Sequence, residues 1–117
     1  MNSKQEGWKM HYVVLITTKN NREAERIAQK LVEDKLVACV NIVAKIQSIF
    51  WWQGRVCNEQ EALMILKTRK NCFKGLVQAV KSLHSYTVPE IIALPIVEGN
   101  ADYLKWIDQS VSGIKKN

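Results

Sequence analysis

Residues 38–68 read ACVNIVAKIQSIFWWQGRVCNEQEALMILKT. Alternation puts Ala38, Val40 and Ile42 on one face of a strand and Cys39, Asn41 and Val43 on the other. A second strand climbs from Arg55 and Val56 to the apolar run Leu63-Met64-Ile65-Leu66. Between them lies Trp51-Trp52-Gln53-Gly54, where Gly54 supplies the positive φ that a short hairpin connection needs. Each arm reaches about 13 residues, more than twice the usual strand. At 3.3 Å per residue that is roughly 43 Å. A compact chain of 117 residues has a radius of gyration near ~13 Å and a diameter of only ~35 Å. The hairpin is therefore expected to overshoot its own core. Its tip carries two adjacent tryptophans, an apolar surface that calls for a cover. A second copy of the chain is the simplest one, with Trp51 and Trp52 at the interface.

Outward from this hairpin the chain falls into alternating strands and helices. His11 to Thr18 is β-branched and apolar, a first strand bounded by Lys19-Asn20-Asn21. Asn20 with Glu23 three residues on fits a capping box. Ala24, Ile27, Ala28, Leu31 and Val32 then recur at helical spacing, with Arg22, Arg26, Lys30 and Glu33 outward. That helix ends near Asp34-Lys35. After Thr68 a second helix is expected, capped by Asn71, with Phe73, Leu76, Val77, Val80 and Leu83 as its buried stripe. It must stop before Pro89. Glu90 to Leu94 reads as a fourth strand, closed by Pro95. Asn100 then caps a short C-terminal helix marked by Tyr103, Leu104, Ile107 and Val111. The order β-α-β, β-α-β, α predicts an α+β fold of ferredoxin-like type, an antiparallel sheet with helices on one face.

Composition sets the outer limits. One domain is expected over residues 11–114, preceded by a flexible leader over 1–10, in which only Trp8 packs, and followed by a tail over 115–117. The 47% hydrophobic content allows a sizeable core. Apolar runs stop at about five residues against ~18 for a membrane span. The first seven residues carry no apolar core of a secretory signal. Cys39, Cys57 and Cys72 are odd in number and form no CxxC pair, which points to reduced thiols in the cytoplasm. The net charge of +6 raises the question of nucleic acid, but Lys and Arg are scattered from Lys4 to Lys116, and the densest group is Lys67-Thr68-Arg69-Lys70. A cluster so short at a strand end reads as a solvated rim, and nucleic acid is not the expected partner.

Candidate chemistry gathers in Leu83-His84-Ser85-Tyr86-Thr87-Val88-Pro89-Glu90, a polar loop between a helix and a strand. His84 can titrate near neutral pH or ligate a metal, and Tyr86 and Glu90 can add oxygens. Glu59 and Glu61, two apart on a strand, point the same way and can hold a cation. Structural roles suit the same residues: His84 at a helix C-terminus complements the dipole, and paired acids serve as salt-bridge partners. No GxGxxG, P-loop, HExxH or GxSxG pattern occurs, and no cysteine has an adjacent histidine base. No enzymatic activity is expected.

Specific strings point further. Leu36-Val37-Ala38-Cys39-Val40-Asn41-Ile42 resembles the LAACVNI stretch of the CutA family of divalent-cation-tolerance proteins. Ser48 to Gly54 resembles its S-x-Y-x-W-x-G turn, and Glu61 to Thr68 its E-x-x-x-x-L/I-K-T strand. His84 to Pro95 resembles H-P-Y-x-V-P-E-I-I-A-L-P, and Tyr103-Leu104-Lys105-Trp106 a Tyr-Leu-x-Trp element. The resemblance implies a soluble, PII-like subunit in a homotrimer whose long strands pair between copies. It also implies tolerance or binding of divalent cations, copper especially, and no reaction. Some bacterial members place a cysteine on the first strand and two histidines before a Pro-Tyr. Here those positions read Ile16 and Leu83-His84, with Ser85 in place of the proline. The expected metal ligands are then His84 with Glu59, Glu61 or Glu90, for Cu²⁺ or Zn²⁺, with no cofactor required. An alternative is a sensor that takes a small anion or nucleotide between subunits through Lys67, Arg69 and Tyr86. A third is an adaptor that presents its surface or leader to a protein partner.

Overall fold

The computed structural model describes residues 10–112. The expected tail, and all of the expected leader but Met10, lie outside them, including Trp8. Four strands and three α-helices follow in order: β1 (His11–Thr18), α1 (Asn21–Glu33), β2 (Cys39–Trp52), β3 (Arg55–Arg69), α2 (Phe73–Leu83), β4 (Ile91–Pro95) and α3 (Ala101–Ser110). The sheet runs β2-β3-β1-β4, every neighbouring pair antiparallel. This is the ferredoxin-like arrangement, α+β, with a long β2–β3 hairpin and one additional C-terminal helix.

One face of the sheet carries the core. Val14, Ile16 and Thr18 on β1 stand opposite Leu66, Met64 and Ala62 on β3, and all six are buried. Ala24, Ile27, Ala28 and Leu31 of α1 and Leu76 and Val80 of α2 close over them. Each large aliphatic side chain so buried contributes about 1.5–3 kcal/mol. Val32, placed in the stripe of α1 by its spacing, is instead 44% exposed. It follows Leu31 directly, and the 100° step turns it off the core face. At the N-terminus Asn20 Oδ1 accepts the Glu23 N–H at 2.8 Å, as its position predicts. Asn100 likewise caps α3 by accepting the Asp102 N–H.

Asn71 does not cap α2. A 3₁₀ turn, Lys70–Cys72, precedes the helix, and Cys72 at the cap position makes no side-chain capping bond. The Phe73 N–H bonds the Lys70 carbonyl inside that turn, so backbone does part of the work a capping side chain would have done. Strand β4 begins one residue later than Glu90 and includes Pro95.

The hairpin arms are 14 and 15 residues long. Gln53 and Gly54 form its connection with φ of 51° and 78°, the pair of positive angles of a type I′ turn. Over the described residues the molecule measures 48 × 26 × 24 Å with a radius of gyration of 15.1 Å, so the ribbon does outrun the core. One feature of the ribbon has no counterpart in the sequence reading. Between Val43↔Leu63 and Ile46↔Glu61, Ala44 and Lys45 together oppose one residue, a bulge with Lys45 at φ 61°. The extra residue keeps Ile46 on the face that Val43 occupies. Beyond it Ile46, Ser48, Phe50 and Trp52 pair with Glu61, Glu59, Cys57 and Arg55 on the face opposite the main helical layer. Trp51 is 74% exposed and Trp52 46%, on opposite faces of the arm.

Candidate functional site

A cavity of about 680 Å³ opens between the outer half of the arm, from Glu61 to Trp52, and the loop between α2 and β4. Strand β3 presents Cys57, Glu59 and Glu61 to it at every second position, as the pleat requires. Phe50 and Trp52 of β2 form its aromatic side, and Tyr86 and Glu90 face them from the loop. Lys19, next after the end of β1, is the one basic residue of the lining among the described residues. Glu59, Glu61, Tyr86 and Glu90 are thus brought together from sequence positions up to 31 apart.

The site is polarised by its own acids. The Tyr86 hydroxyl donates to Glu61 Oε2 at 2.6 Å. Burial, that bond, and the charges of Glu61, Glu23 and Glu59 raise the Tyr86 phenol far above the ordinary tyrosine range, so it stays a neutral donor. Burial and the neighbouring Glu61 also push the Glu90 carboxyl up. Three carboxyl groups, Glu59, Glu61 and Glu90, thus share the described lining with one ammonium, that of Lys19.

His84 takes a different part. Its side chain is fully buried behind the loop. Nε2 donates to the Thr17 carbonyl at 2.7 Å, and Nδ1 accepts the Tyr86 N–H at 3.0 Å. Both ring nitrogens are thereby occupied, and the ring offers no lone pair to a metal. Its plane tilts against Tyr86 with centroids 4.8 Å apart, so its role is to seat that residue. Among the described residues no three His, Cys, Asp or Glu side chains converge as a complete metal-binding set.

Lys67 and Arg69 sit elsewhere. Lys67 lies six residues along β3 from Glu61, roughly 20 Å away, and its ammonium donates to Asn41 Oδ1. Arg69 Nε stands 3.5 Å from Asp108, which also meets His11 Nε2 at 2.9 Å. These contacts fasten α3 to the sheet. The structure does not bring Lys67 or Arg69 to Tyr86 within one chain.

Several residues of the site escaped the sequence reading, Cys57 and Glu23 among them. Cys57 has the same parity as Glu59 and Glu61 on β3, a signal that was legible. Glu23 was assigned to a cap, yet it is only 3% exposed and reaches the loop. Its Oε2 accepts the Ser85 N–H at 2.7 Å and its Oε1 the Lys19 N–H at 3.2 Å. Nothing in the local pattern marks a partner 62 positions away.

Known proteins agree with this architecture. The family described as CutA1 divalent ion tolerance protein matches residues 12–110. A divalent-cation tolerance protein CutA of Thermus thermophilus is 52% identical over 86% of this chain and 98% of its own length. A solved structure of divalent cation tolerance protein Cut A1 from Thermus thermophilus superposes with a TM-score of 0.86 at 50% identity, over 88% of this chain and all of that one. The rice protein CutA 1, described as chloroplastic, is 46% identical over 84% of this chain, which spans only 55% of that relative. By family match, identity and fold alike, this chain belongs to the CutA1 divalent ion tolerance protein family.

Proposed function

We propose that the protein serves divalent-cation tolerance by holding a divalent metal ion at the carboxylate-lined cavity, as a homotrimer in the cytoplasm. One observation carries the reading: Glu59, Glu61 and Glu90 face a common cavity where Lys19 is the sole basic lining residue among the described residues. Carboxylate oxygens suit a divalent ion that keeps much of its water and takes one or two protein ligands. The spread of the three acids fits that mode better than a closed shell of side chains. Cys57 on the same wall adds a softer donor, which favours Cu²⁺ or Zn²⁺ over Mg²⁺. The trimer is supported by the overhanging arm and by exposed Ile49, Trp51 and Val56 on its face away from the cavity. Free thiols at Cys39, Cys57 and Cys72 suit a reducing compartment. Within one chain Lys67 and Arg69 lie at the other end of β3 from Tyr86, so a small-anion site built on all three would have to form between subunits.

Isothermal titration with Cu²⁺ and Zn²⁺ tests the reading. Glu59→Gln with Glu90→Gln is expected to weaken binding by about tenfold or more. Wild-type heats from the double glutamine variant would overturn the assignment.

A further inference from the structure

The loop 84–90 belongs to no helix or strand, yet it carries Tyr86 and Glu90 into the cavity. Its position is set from behind, by helix α1. The Arg26 guanidinium donates to the Leu83 carbonyl at 3.2 Å, satisfying an acceptor at the end of α2. Glu23, one turn earlier on α1, deals with the donors. One of its oxygens takes the Ser85 N–H and the other the Lys19 N–H. Ser85 and Lys19 both line the cavity, on different walls. A single buried carboxylate thus spans the two walls from outside, and its oxygens define the separation of their backbones.

We propose that Glu23 is a positioning residue for the cavity: it fixes the distance between the Lys19 corner and the Tyr86–Glu90 loop, and so sets the affinity for cations. The proposal rests on the cation reading above. Only a carboxylate meets the geometry. Two N–H donors need two acceptor oxygens, whereas glutamine turns an NH₂ toward one of them, and alanine leaves both without a partner. The consequence passes along the loop through His84 Nδ1, which holds the next N–H, that of Tyr86. It ends at the 2.6 Å bond from Tyr86 to Glu61. Displacing the loop by an ångström breaks that bond and releases Glu61 and Glu90 from their present spacing.

The test is Glu23→Gln, with Ile27→Val on the same helix as a control that loosens the core without touching the loop. Amide exchange is measured in metal-free protein, and Zn²⁺ affinity by titration calorimetry. Glu23→Gln is expected to lose about tenfold protection at Ser85 and Tyr86 and to bind Zn²⁺ about tenfold more weakly. Ile27→Val leaves both readings at wild type. Ser85→Pro supplies a second route, since it removes the N–H itself, and His84 at φ −81°, ψ 143° already has the backbone a following proline needs. In that background Glu23→Gln has a smaller effect, because the two act through one bond. Unchanged exchange in Glu23→Gln overturns the proposal, as does lost protection with unaltered Zn²⁺ affinity. Equal losses in Ile27→Val overturn it too. Wild-type protein that takes up no Zn²⁺ would remove the cation reading and the affinity claim with it, while the exchange data would separately show whether Glu23 holds the loop.

Discussion

Asn20 and Glu23 stand three apart, the spacing of a capping box, and the structure keeps half of that motif. The asparagine caps; the glutamate turns away from Asn20 to the Lys19 and Ser85 amides. Burial on its own would raise the Glu23 carboxyl. The Ser85 N–H and hydroxyl, the Lys19 N–H and nearby His84 together outweigh it and hold the carboxyl below its ordinary 4.5. A carboxyl lowered in the folded state contributes stability that is complete above its unfolded value and lost as pH falls through the folded one. Wild type is therefore expected to exceed Glu23→Gln by about 2–3 kcal/mol near neutral pH, and the gap should close as the pH drops below 4.5. Urea unfolding at a series of pH values measures it. A gap that persists unchanged in acid would mean the negative charge is not what the two amides require.

The hairpin is the element on which local chemistry is most readable. Gly54 announces the turn, and no heavy atom lies within 4 Å of where a Cβ would stand. Gly54→Ala should therefore cost only the backbone penalty of φ +78°, about 1–2 kcal/mol. Gln53 occupies the other left-handed position, where asparagine is the preferred residue; Gln53→Asn should gain a few tenths of a kcal/mol. Thermal unfolding of the two variants reads both signs, and a neutral Gly54→Ala would rule out the I′ geometry. The bulge at Ala44 and Lys45 was not readable, because neither residue type signals a left-handed backbone. It matters all the same, since it sets which arm residues face the cavity. Asn71 shows the reverse case: a good capping residue left unused because a 3₁₀ turn precedes the helix.

At the scale of the molecule, a ribbon extending a body to 48 Å leaves Trp51 and Val56 more than half exposed at its end. So much apolar surface in water disfavours the isolated chain. Light scattering in dilute buffer is expected to give three copies of the 13.4 kDa chain, about 40 kDa. If a neighbour covers the tip, Trp52→Ala should cost about 3–5 kcal/mol of the assembled state. A folded particle of 13.4 kDa, or a loss from Trp52→Ala below about 1 kcal/mol, would leave the tip uncovered and the trimer without its physical basis.

The sequence by itself determined the element order, the layer of α1 and α2 on one face of the sheet, the unusual length of the hairpin and its turn, whereas α3 packs on the opposite face, with Asp108 against His11 and Arg69. Each of these follows from local spacing: two for a strand, 3.6 for a helix, and a glycine where φ must be positive. It also named Glu59, Glu61, Tyr86 and Glu90, because polar residues stood out against an apolar background. Only the tertiary structure decided how they are used. It brought Tyr86 to Glu61 and Glu23 to Ser85, buried His84 with both nitrogens engaged, and placed Lys67 and Arg69 at the far end of their strand. Periodicity reports which side of an element is apolar. Which residues of distant elements meet depends on register, and here on one bulge and one loop tied down by a carboxylate from another helix.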